Sequence, residues 1–172
     1  MAFRQAGFSS ETALGQHMRF VLGIIASWLL LLGVANADGI QAQCGAESGV
    51  GFYAAQGLAT GDNAGWHEDA ISSGETIIRV NLDSAAVDVQ FKDATGLWQS
   101  VADQGGSATL YGAQSGTPSA FTVLVAYPGN VEVYLLAEIQ GSHARLIHTQ
   151  ARSIATFTNG RLMVGDCVVT AF

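Results

Sequence analysis

Apolar and polar residues alternate along several short segments of this chain. Between residues 76 and 82, Ile78 and Val80 fall on one face of an extended backbone, while Arg79 and Asn81 fall on the other. A period of two is typical of a strand with one buried face. Glycine, proline, asparagine or aspartate interrupts the pattern about every 8–12 residues, which is typical of all-β domains.

This pattern predicts about eight or nine antiparallel strands in an all-β sandwich or flattened barrel, with a meander in the C-terminal half. Phe121–Tyr127 is apolar on both faces and is predicted to be the most central strand. Asn159 and Gly160 both tolerate positive φ, so they predict a hairpin turn between residues 155–158 and 161–164. The predicted strands cover residues 51–55, 76–82, 87–92, 97–101, 108–111, 121–127, 131–139, 145–149 and the two arms of that hairpin.

Two aromatic residues are candidates for a ligand surface. In the segment 131–139, alternation predicts that the valines point inward, which places Tyr134 on the solvent face with Glu132 and Glu138. An exposed aromatic ring beside acids can stack on a sugar or a cation, although packing of Tyr134 beneath a loop is the favoured interpretation. Trp66 is the second candidate, and it is expected to anchor an irregular polar loop over residues 61–74.

The N-terminal part has the composition of an export signal. Arg19 precedes fifteen uncharged residues, 20–34, and Ala35 and Ala37 frame a small-x-small cleavage site. A membrane-spanning helix needs about 20 apolar residues, so the segment 18–37 is predicted to be a cleaved signal peptide. The polar residues 1–17 are predicted to precede the true start at Met18, and cleavage leaves one domain, residues 38–172.

The charge of the predicted mature domain excludes some partners. The chain has 14 acidic and 7 basic residues, of which Glu11, Arg4 and Arg19 lie in the leader, so 13 acids and 5 bases remain. A net charge of −8 does not neutralise a row of phosphates. We therefore expect no nucleic-acid partner and no stable membrane insertion after cleavage. Together with the predicted signal peptide, this charge indicates a secreted or periplasmic protein.

Two cysteines, Cys44 and Cys167, lie near the two ends of the mature domain. An even number of cysteines in an oxidising compartment predicts a disulfide, with two free buried thiols as the alternative. Their spacing is not the Cys-x-x-Cys pattern of thiol–disulfide oxidoreductases.

No arrangement of residues predicts a metal site or a cofactor. Oxygen ligands at Asp62, Asn63, Glu68 and Asp69 suit calcium, but their spacing is not that of an EF-hand, and a solvated loop is favoured. Zinc requires three or four converging ligands. The mature domain has three histidines, which are interpreted as surface or turn residues: His67, His143 and His148.

The sequence contains no catalytic motif either. Ser48 lies in a glycine-spaced segment without a base nearby in sequence, and no nucleophile-elbow pattern surrounds any serine. Any two of thirteen acids are compatible with a glycosidase pair, so their presence indicates nothing. No residue is predicted to be catalytic.

Several segments together resemble a family. These are residues 49–53 (GVGFY), 65–74 (GWHEDAISSG), 93–96 (DATG), 126–129 (AYPG) and 132–136 (EVYLL), with a cysteine near each end of the mature domain. The layout resembles a group of small secreted bacterial proteins of unknown function. The resemblance covers nearly all of the mature domain and implies a fold, but no catalytic residue.

Three functions therefore stay open. The favoured one is a non-enzymatic exported domain that binds a protein, a glycan or a small ligand. The second is a structural protein of the cell envelope, and the third is a hydrolase whose site is assembled only by tertiary contacts. An internal cavity or an aromatic patch would favour binding.

Overall fold

The computed structural model describes residues 39–93, 95–112 and 118–172, so the predicted leader lies outside the described residues. A short 3₁₀ turn covers Gly61–Asn63. The ten strands are β1 Gly39–Tyr53, β2 Gly65–Ile71, β3 Thr76–Asn81, β4 Val87–Lys92, β5 Trp98–Ser100, β6 Ser107–Tyr111, β7 Phe121–Tyr127, β8 Asn130–Gln140, β9 His143–Ile154 and β10 Phe157–Ala171.

All ten strands belong to one antiparallel sheet. The order is β5-β4-β3-β1-β10-β9-β8-β7-β6, and β2 pairs with the second half of β1. The sheet curls so that β4 and β6, near its two ends, contact each other, but it is not closed by hydrogen bonds. This architecture confirms the predicted all-β class, which fits a sandwich or a flattened barrel, and the C-terminal meander from β6 to β10.

The core lies between the two ends of the curled sheet. Alternate residues of each strand point into it, as the pleat of a strand requires. Its completely buried side chains come from strands at both ends of the sheet and from the middle: Ala42, Cys44, Ile78, Val80, Val123, Val125, Leu136 and Leu146.

The central pair of strands, β1 and β10, carries the disulfide. Cys44 and Cys167 are opposite each other in the register and are bonded, which confirms the predicted pairing. Residues described by the structure include no helix that is long and apolar enough to cross a membrane. The disulfide is compatible with an extracellular or periplasmic location.

A β-bulge follows Cys44 and changes which residues of β1 face inward. Three steps from Cys44 to Glu47 oppose only two steps on β10, from Cys167 to Gly165. The extra residue reverses the alternation, so both Cys44 and Glu47 are buried. Gly165 leaves room for the acid, since a Cβ at this position would lie 3.1 Å from Glu47 Cγ.

Turns in the C-terminal half agree with the sequence in two cases and differ in one. Pro128-Gly129 and Gly141-Ser142 are turn-forming pairs in the sequence, and they connect β7 to β8 and β8 to β9. The predicted Asn159-Gly160 turn is wrong, because the chain reverses four residues earlier, at residues 155–156. Asn159 is instead a buried residue inside β10 and pairs with both β9 and β1.

Two strand predictions are also corrected. β7 is next to the edge strand β6, and β10 occupies the middle of the sheet. Only one face of β7 enters the core, with Val123 and Val125, and the other face is half-buried, so an apolar run on both faces does not require a central strand. The first strand is 15 residues long and not five, since β1 continues through its bulge.

The predicted inside and outside of β8 are reversed. Glu132 and Tyr134 are buried (8 % and 3 % exposed), whereas Val131 is 44 % exposed. Alternation alone does not indicate which face meets the core, and the pairing of β8 with β7 and β9 turns the even-numbered residues from Asn130 to Leu136 inward. At this end of the sheet the interior is therefore polar and the exterior apolar.

Loss of the disulfide should destabilise the domain strongly. The bond closes a loop with a sequence separation of 123 residues, so the chain-entropy account predicts a loss of about 4–5 kcal/mol in the free energy of unfolding on reduction. Urea unfolding with and without reductant measures this loss. A Cys44→Ser/Cys167→Ser variant is the control and should not respond to reductant; an unchanged wild-type unfolding free energy on reduction would contradict the prediction.

Candidate functional site

A pocket of about 450 Å³ opens at the polar end of the curled sheet. One wall is formed by β8, β9 and β10, and the other by β3, β4 and the segment before β3. The mouth of a β-barrel or curled sheet is a common place for a ligand site, and the volume is within the usual range of about 300–1,000 Å³. The lining residues used below are Glu47, Glu75, Tyr127, Asn130, Glu132, Tyr134, His148, Gln150, Arg152 and Arg161.

Strand register explains why so many polar groups converge here. On the inner face, Tyr134 is opposite His148 and Glu132 is opposite Gln150. Gln150 is in turn opposite Arg161 on β10. Since neighbouring side chains on one face of a sheet lie about 4.5–5.5 Å apart, three adjacent strands form a continuous polar surface.

Glu132 is at the centre of this surface and accepts three hydrogen bonds. The side-chain amides of Asn130 and Gln150 both donate to its Oε1 at 2.7 Å, and the Tyr134 hydroxyl donates to its Oε2 at 2.6 Å. An ionised carboxylate only accepts hydrogen bonds. It therefore orients both amides, with their NH₂ groups toward Glu132 and their oxygens away from it.

The hydrogen bonds set the ionisation of this group. Burial raises the pKa of Glu132, but the hydrogen bonds from Tyr134, Asn130 and Gln150, together with His148, outweigh burial and hold this pKa below its ordinary value. Burial and the charge of Glu132 raise the pKa of Tyr127 to about 12 and that of Tyr134 well above its ordinary value. At neutral pH the site thus contains an ionised carboxylate and neutral phenols.

A second buried acid pairs with a histidine. His148 Nδ1 lies 2.8 Å from Glu47 Oε2, and the imidazole stacks on the Tyr134 ring with centroids 4.3 Å apart and an interplanar angle of 11°. The other nitrogen, Nε2, lies 3.9 Å from Glu132 Oε2. His148 is thus held between two carboxylates, and the bulge in β1 is what places Glu47 against it.

Three buried atoms near Glu132 have no donor within the described part of the chain. They are Asn130 Oδ1, Gln150 Oε1 and His148 Nε2. Asn130 Oδ1 and Gln150 Oε1 are hydrogen-bond acceptors, because the amide NH₂ groups of both residues face Glu132. Buried polar atoms nearly always have partners, so these unpaired atoms, two of them amide oxygens that accept hydrogen bonds, indicate a place for a group that donates hydrogen bonds.

Charged groups around the mouth are mostly paired. Lys92 Nζ lies 2.8 Å from Glu75, and Arg161 Nε lies 3.1 Å from Asp69. Asp69 also accepts a hydrogen bond from the Tyr53 hydroxyl at 2.6 Å. Arg152 also lines the pocket, and over residues 39–93, 95–112 and 118–172 it has no acid within salt-bridge distance.

The two aromatic residues singled out in the sequence lie on opposite faces of the sheet. Tyr134 lines the pocket, is buried and donates its hydroxyl hydrogen bond to Glu132. The favoured interpretation of a packed ring is therefore right about burial, but the ring lies on the inner face of the sheet, so its predicted place on the solvent face is wrong. Trp66 belongs to β2 and is 72 % exposed, with Phe52 against it at 5.4 Å between ring centroids. The expectation that Trp66 anchors an irregular loop is also wrong.

The metal candidates remain apart. Glu68 and Asp69 are consecutive residues of β2 and point to opposite faces, and Asp69 is already paired. In the described part of the chain, no group of three His, Cys, Asp or Glu side chains is arranged to hold a metal ion. The interpretation of His148 as a surface or turn residue is wrong, whereas His143 is exposed at the start of β9 as expected.

The sequence does contain a signal for this site. Polar residues alternate on both arms of the β8–β9 hairpin: Asn130, Glu132 and Tyr134 on one, His148, Gln150 and Arg152 on the other. The pattern is visible without a structure, but it is equally compatible with a solvated face. Glu47 has no such signal, because its inward direction depends on the bulge. Ser48 points to the opposite face of β1, away from His148.

The lowered pKa of Glu132 predicts how stability depends on pH. Since the folded pKa is below the ordinary value of 4.5, the ionised group contributes stability that is present above pH 4.5 and lost as the pH falls through the folded pKa. Glu132→Gln should reduce the free energy of unfolding at pH 7 by about 1–3 kcal/mol, and this difference from wild type should shrink below pH 4.5. Urea unfolding between neutral and acidic pH measures it.

Glu138→Gln is the matched control, since Glu138 lies on the same strand but is exposed. Its difference from wild type should stay small at every pH. A Glu132→Gln difference that does not change with pH would contradict the assignment of Glu132 as the ionised centre of the cluster.

Comparison with known proteins gives no further assignment: no protein-family model, no curated protein and no solved structure matches this chain.

Proposed function

We propose that this chain is an exported, non-enzymatic binding module that holds a small polar ligand in the pocket at the polar end of its sheet. The single observation that carries the proposal is the set of three buried, unpaired polar atoms around the ionised Glu132, two of them amide oxygens that accept hydrogen bonds, within residues that the structure describes. Export is supported by the predicted signal peptide and by the disulfide, which is typical of oxidising compartments.

The polar interior argues for binding over a purely structural role. A sheet that only supports its own fold gains most from a filled apolar interior. Here Glu47, Glu132 and His148 are each at least nine-tenths buried, and burial of charged groups costs several kcal/mol unless they are well paired. Such a cost is typical of sites where polar groups are held in place for a ligand.

The geometry suggests the chemistry of the ligand. Near Glu132 the protein offers two acceptors, Asn130 Oδ1 and Gln150 Oε1, which suit hydroxyl or ammonium groups. Arg152 is a donor in the same pocket, without an acidic partner in the described residues. A ligand with hydroxyl or ammonium donors at one end and an oxygen acceptor at the other matches both, as in a monosaccharide, a disaccharide or an amino acid.

A ligand panel tests the proposal. The purified protein is heated with neutral sugars, sugar acids, amines and amino acids, and the midpoint of unfolding is recorded. A ligand present at 100 times its Kd stabilises the folded state by about 2.7 kcal/mol, which corresponds to a shift of several degrees. Titration calorimetry then gives the affinity of each ligand that raises the midpoint.

Two variants with matched controls locate the binding. Gln150→Met removes the amide oxygen beside Glu132, and Arg152→Met removes the guanidinium donor of the pocket. Each variant should weaken ligand binding at least about 10-fold, or roughly 1.4 kcal/mol. Gln140→Met and Arg145→Met alter exposed residues outside the pocket and should leave affinity unchanged. If no compound in the panel binds, or if the pocket variants bind as tightly as the controls, the proposal is wrong.

One observation favours a second candidate, a hydrolase. The Glu47–His148 pair has the arrangement in which a carboxylate orients an imidazole that acts as a general base. The described pocket lining includes Thr76 but no serine or cysteine, and in this candidate mechanism a water molecule is the nucleophile. Incubation of any bound ligand with the protein, followed by NMR, separates the two: turnover that His148→Gln abolishes supports the hydrolase, and an unchanged ligand supports binding.

A further inference from the structure

The outer face of the sheet is apolar over the same strands whose inner face is polar. Register places three rows of five residues across β8, β9, β10, β1 and β2. The rows are Val131–Ala151–Gly160–Phe52–Trp66, Val133–Thr149–Leu162–Val50–Glu68 and Leu135–Ile147–Val164–Ser48–Ala70. We refer to these fifteen positions as the outer apolar face.

Glu68, on the outermost strand of the five, is the one charged residue among these positions. The next row beyond Leu135 brings in charge at once, since Arg145 and Asp166 form an ion pair at 3.4 Å. Large apolar side chains remain accessible within the face, including Trp66 at 72 %, Leu162 at 47 % and Phe52 at 42 %. A bordered apolar surface of this kind is typical of a protein–protein contact.

We propose that the outer apolar face is a homodimer interface, on which a second copy of this chain packs sheet against sheet. This inference is independent of the ligand proposed for the pocket, because it concerns the opposite face of the same strands.

The dimensions of the face agree with what a dimer needs. Five strands about 4.8 Å apart and three rows about 6.6 Å apart give a face of roughly 24 Å by 20 Å, or roughly 500 Å² per copy. Two copies that cover the whole face bury roughly 1,000 Å², which reaches the lower range of specific interfaces.

A second copy also fits the chemistry of the face better than a charged partner does. Twelve of the fifteen positions hold an apolar residue or glycine. An almost uncharged surface offers nothing to pair with charges on another protein. An identical face is equally uncharged, so a two-fold axis brings two apolar surfaces together without an unpaired charge at their centre. Sheets that pack face to face in this way form the core of β-sandwiches.

Leu162 gives a sharp test because it lies at the centre of the face, in the middle row and on the middle of the five strands. Near a two-fold axis the two copies of this residue approach each other. Leu162→Lys and Leu162→Glu each place like charges together and should raise the dimer Kd at least about 100-fold. Mixing the two variants should restore a heterodimer, because opposite charges then meet.

The control is Val168→Lys. Val168 is 55 % exposed, on the same strand and the same side of the sheet, but six residues along β10 from Leu162, or about 20 Å, and outside the face. This variant should dimerise like wild type. Near-ultraviolet circular dichroism and the intact 44–167 disulfide report whether each variant is folded, and Val50→Lys replaces Leu162→Lys if the latter does not fold.

The measurement is the mass in solution of the protein purified from cells that express the full chain, by sedimentation equilibrium from about 1 to 100 μM. Mass spectrometry of the same sample identifies its N-terminus, so that an occupant supplied by residues 1–38 is recognised. A concentration-dependent dimer that Leu162→Lys abolishes and the mixture restores supports the proposal. A wild-type protein that is monomeric at every concentration overturns the proposal, and so does a dimer that Leu162→Lys leaves intact. A monomer whose face is covered by residues 1–38, or that binds added lipid vesicles through this face, counts as such a monomer.

Discussion

The pairing of β1 with β10 is the constraint on which the rest of the structure depends. The two longest strands, 15 residues each, lie side by side in the middle of the sheet and are bonded through Cys44 and Cys167. All other strands extend outward from this pair, in two directions. The contact joins residues far apart in sequence, so it is costly to form, and the disulfide offsets part of that cost.

The same pair creates the polar pocket. The bulge after Cys44 turns Glu47 inward, and Gly165 on the partner strand leaves the space that its side chain occupies. On the side of the bulge that holds the disulfide the interior is apolar, and on the other side His148 and Glu132 take the place of aliphatic side chains. One inserted residue therefore separates the part of the sheet that stabilises the fold from the part that we propose binds a ligand.

Reversal of polarity at this end links the two proposals. A strand has two faces, so a strand that directs Glu132 and Tyr134 inward necessarily directs Val131 and Val133 outward. Covering the apolar side chains on the outer surface removes them from water and lowers the free energy. The polar pocket and the outer apolar face are thus two consequences of one register, and we propose a ligand for the first and a second copy of the chain for the second.

Much of the fold could be predicted from local patterns. Alternation located β3 and β4, and proline and glycine located the turn at Pro128-Gly129. The prediction of a turn at Asn159-Gly160 was wrong because these residues pair with β1 on one side and with β9 on the other, which keeps the backbone extended. Gly160 has no positive φ in the structure, so the conformation that makes such a pair favourable for turns is not used.

The sequence by itself determined the all-β class, most strand positions and the cysteine pairing, because these follow from period-two alternation, turn residues and an even number of cysteines. Only the tertiary structure decided which face of each strand is inside. Alternation is symmetric between the two faces, and the choice depends on how distant strands pair and on where a bulge shifts the phase. For that reason Glu47, Glu132 and His148 come together only in the folded sheet.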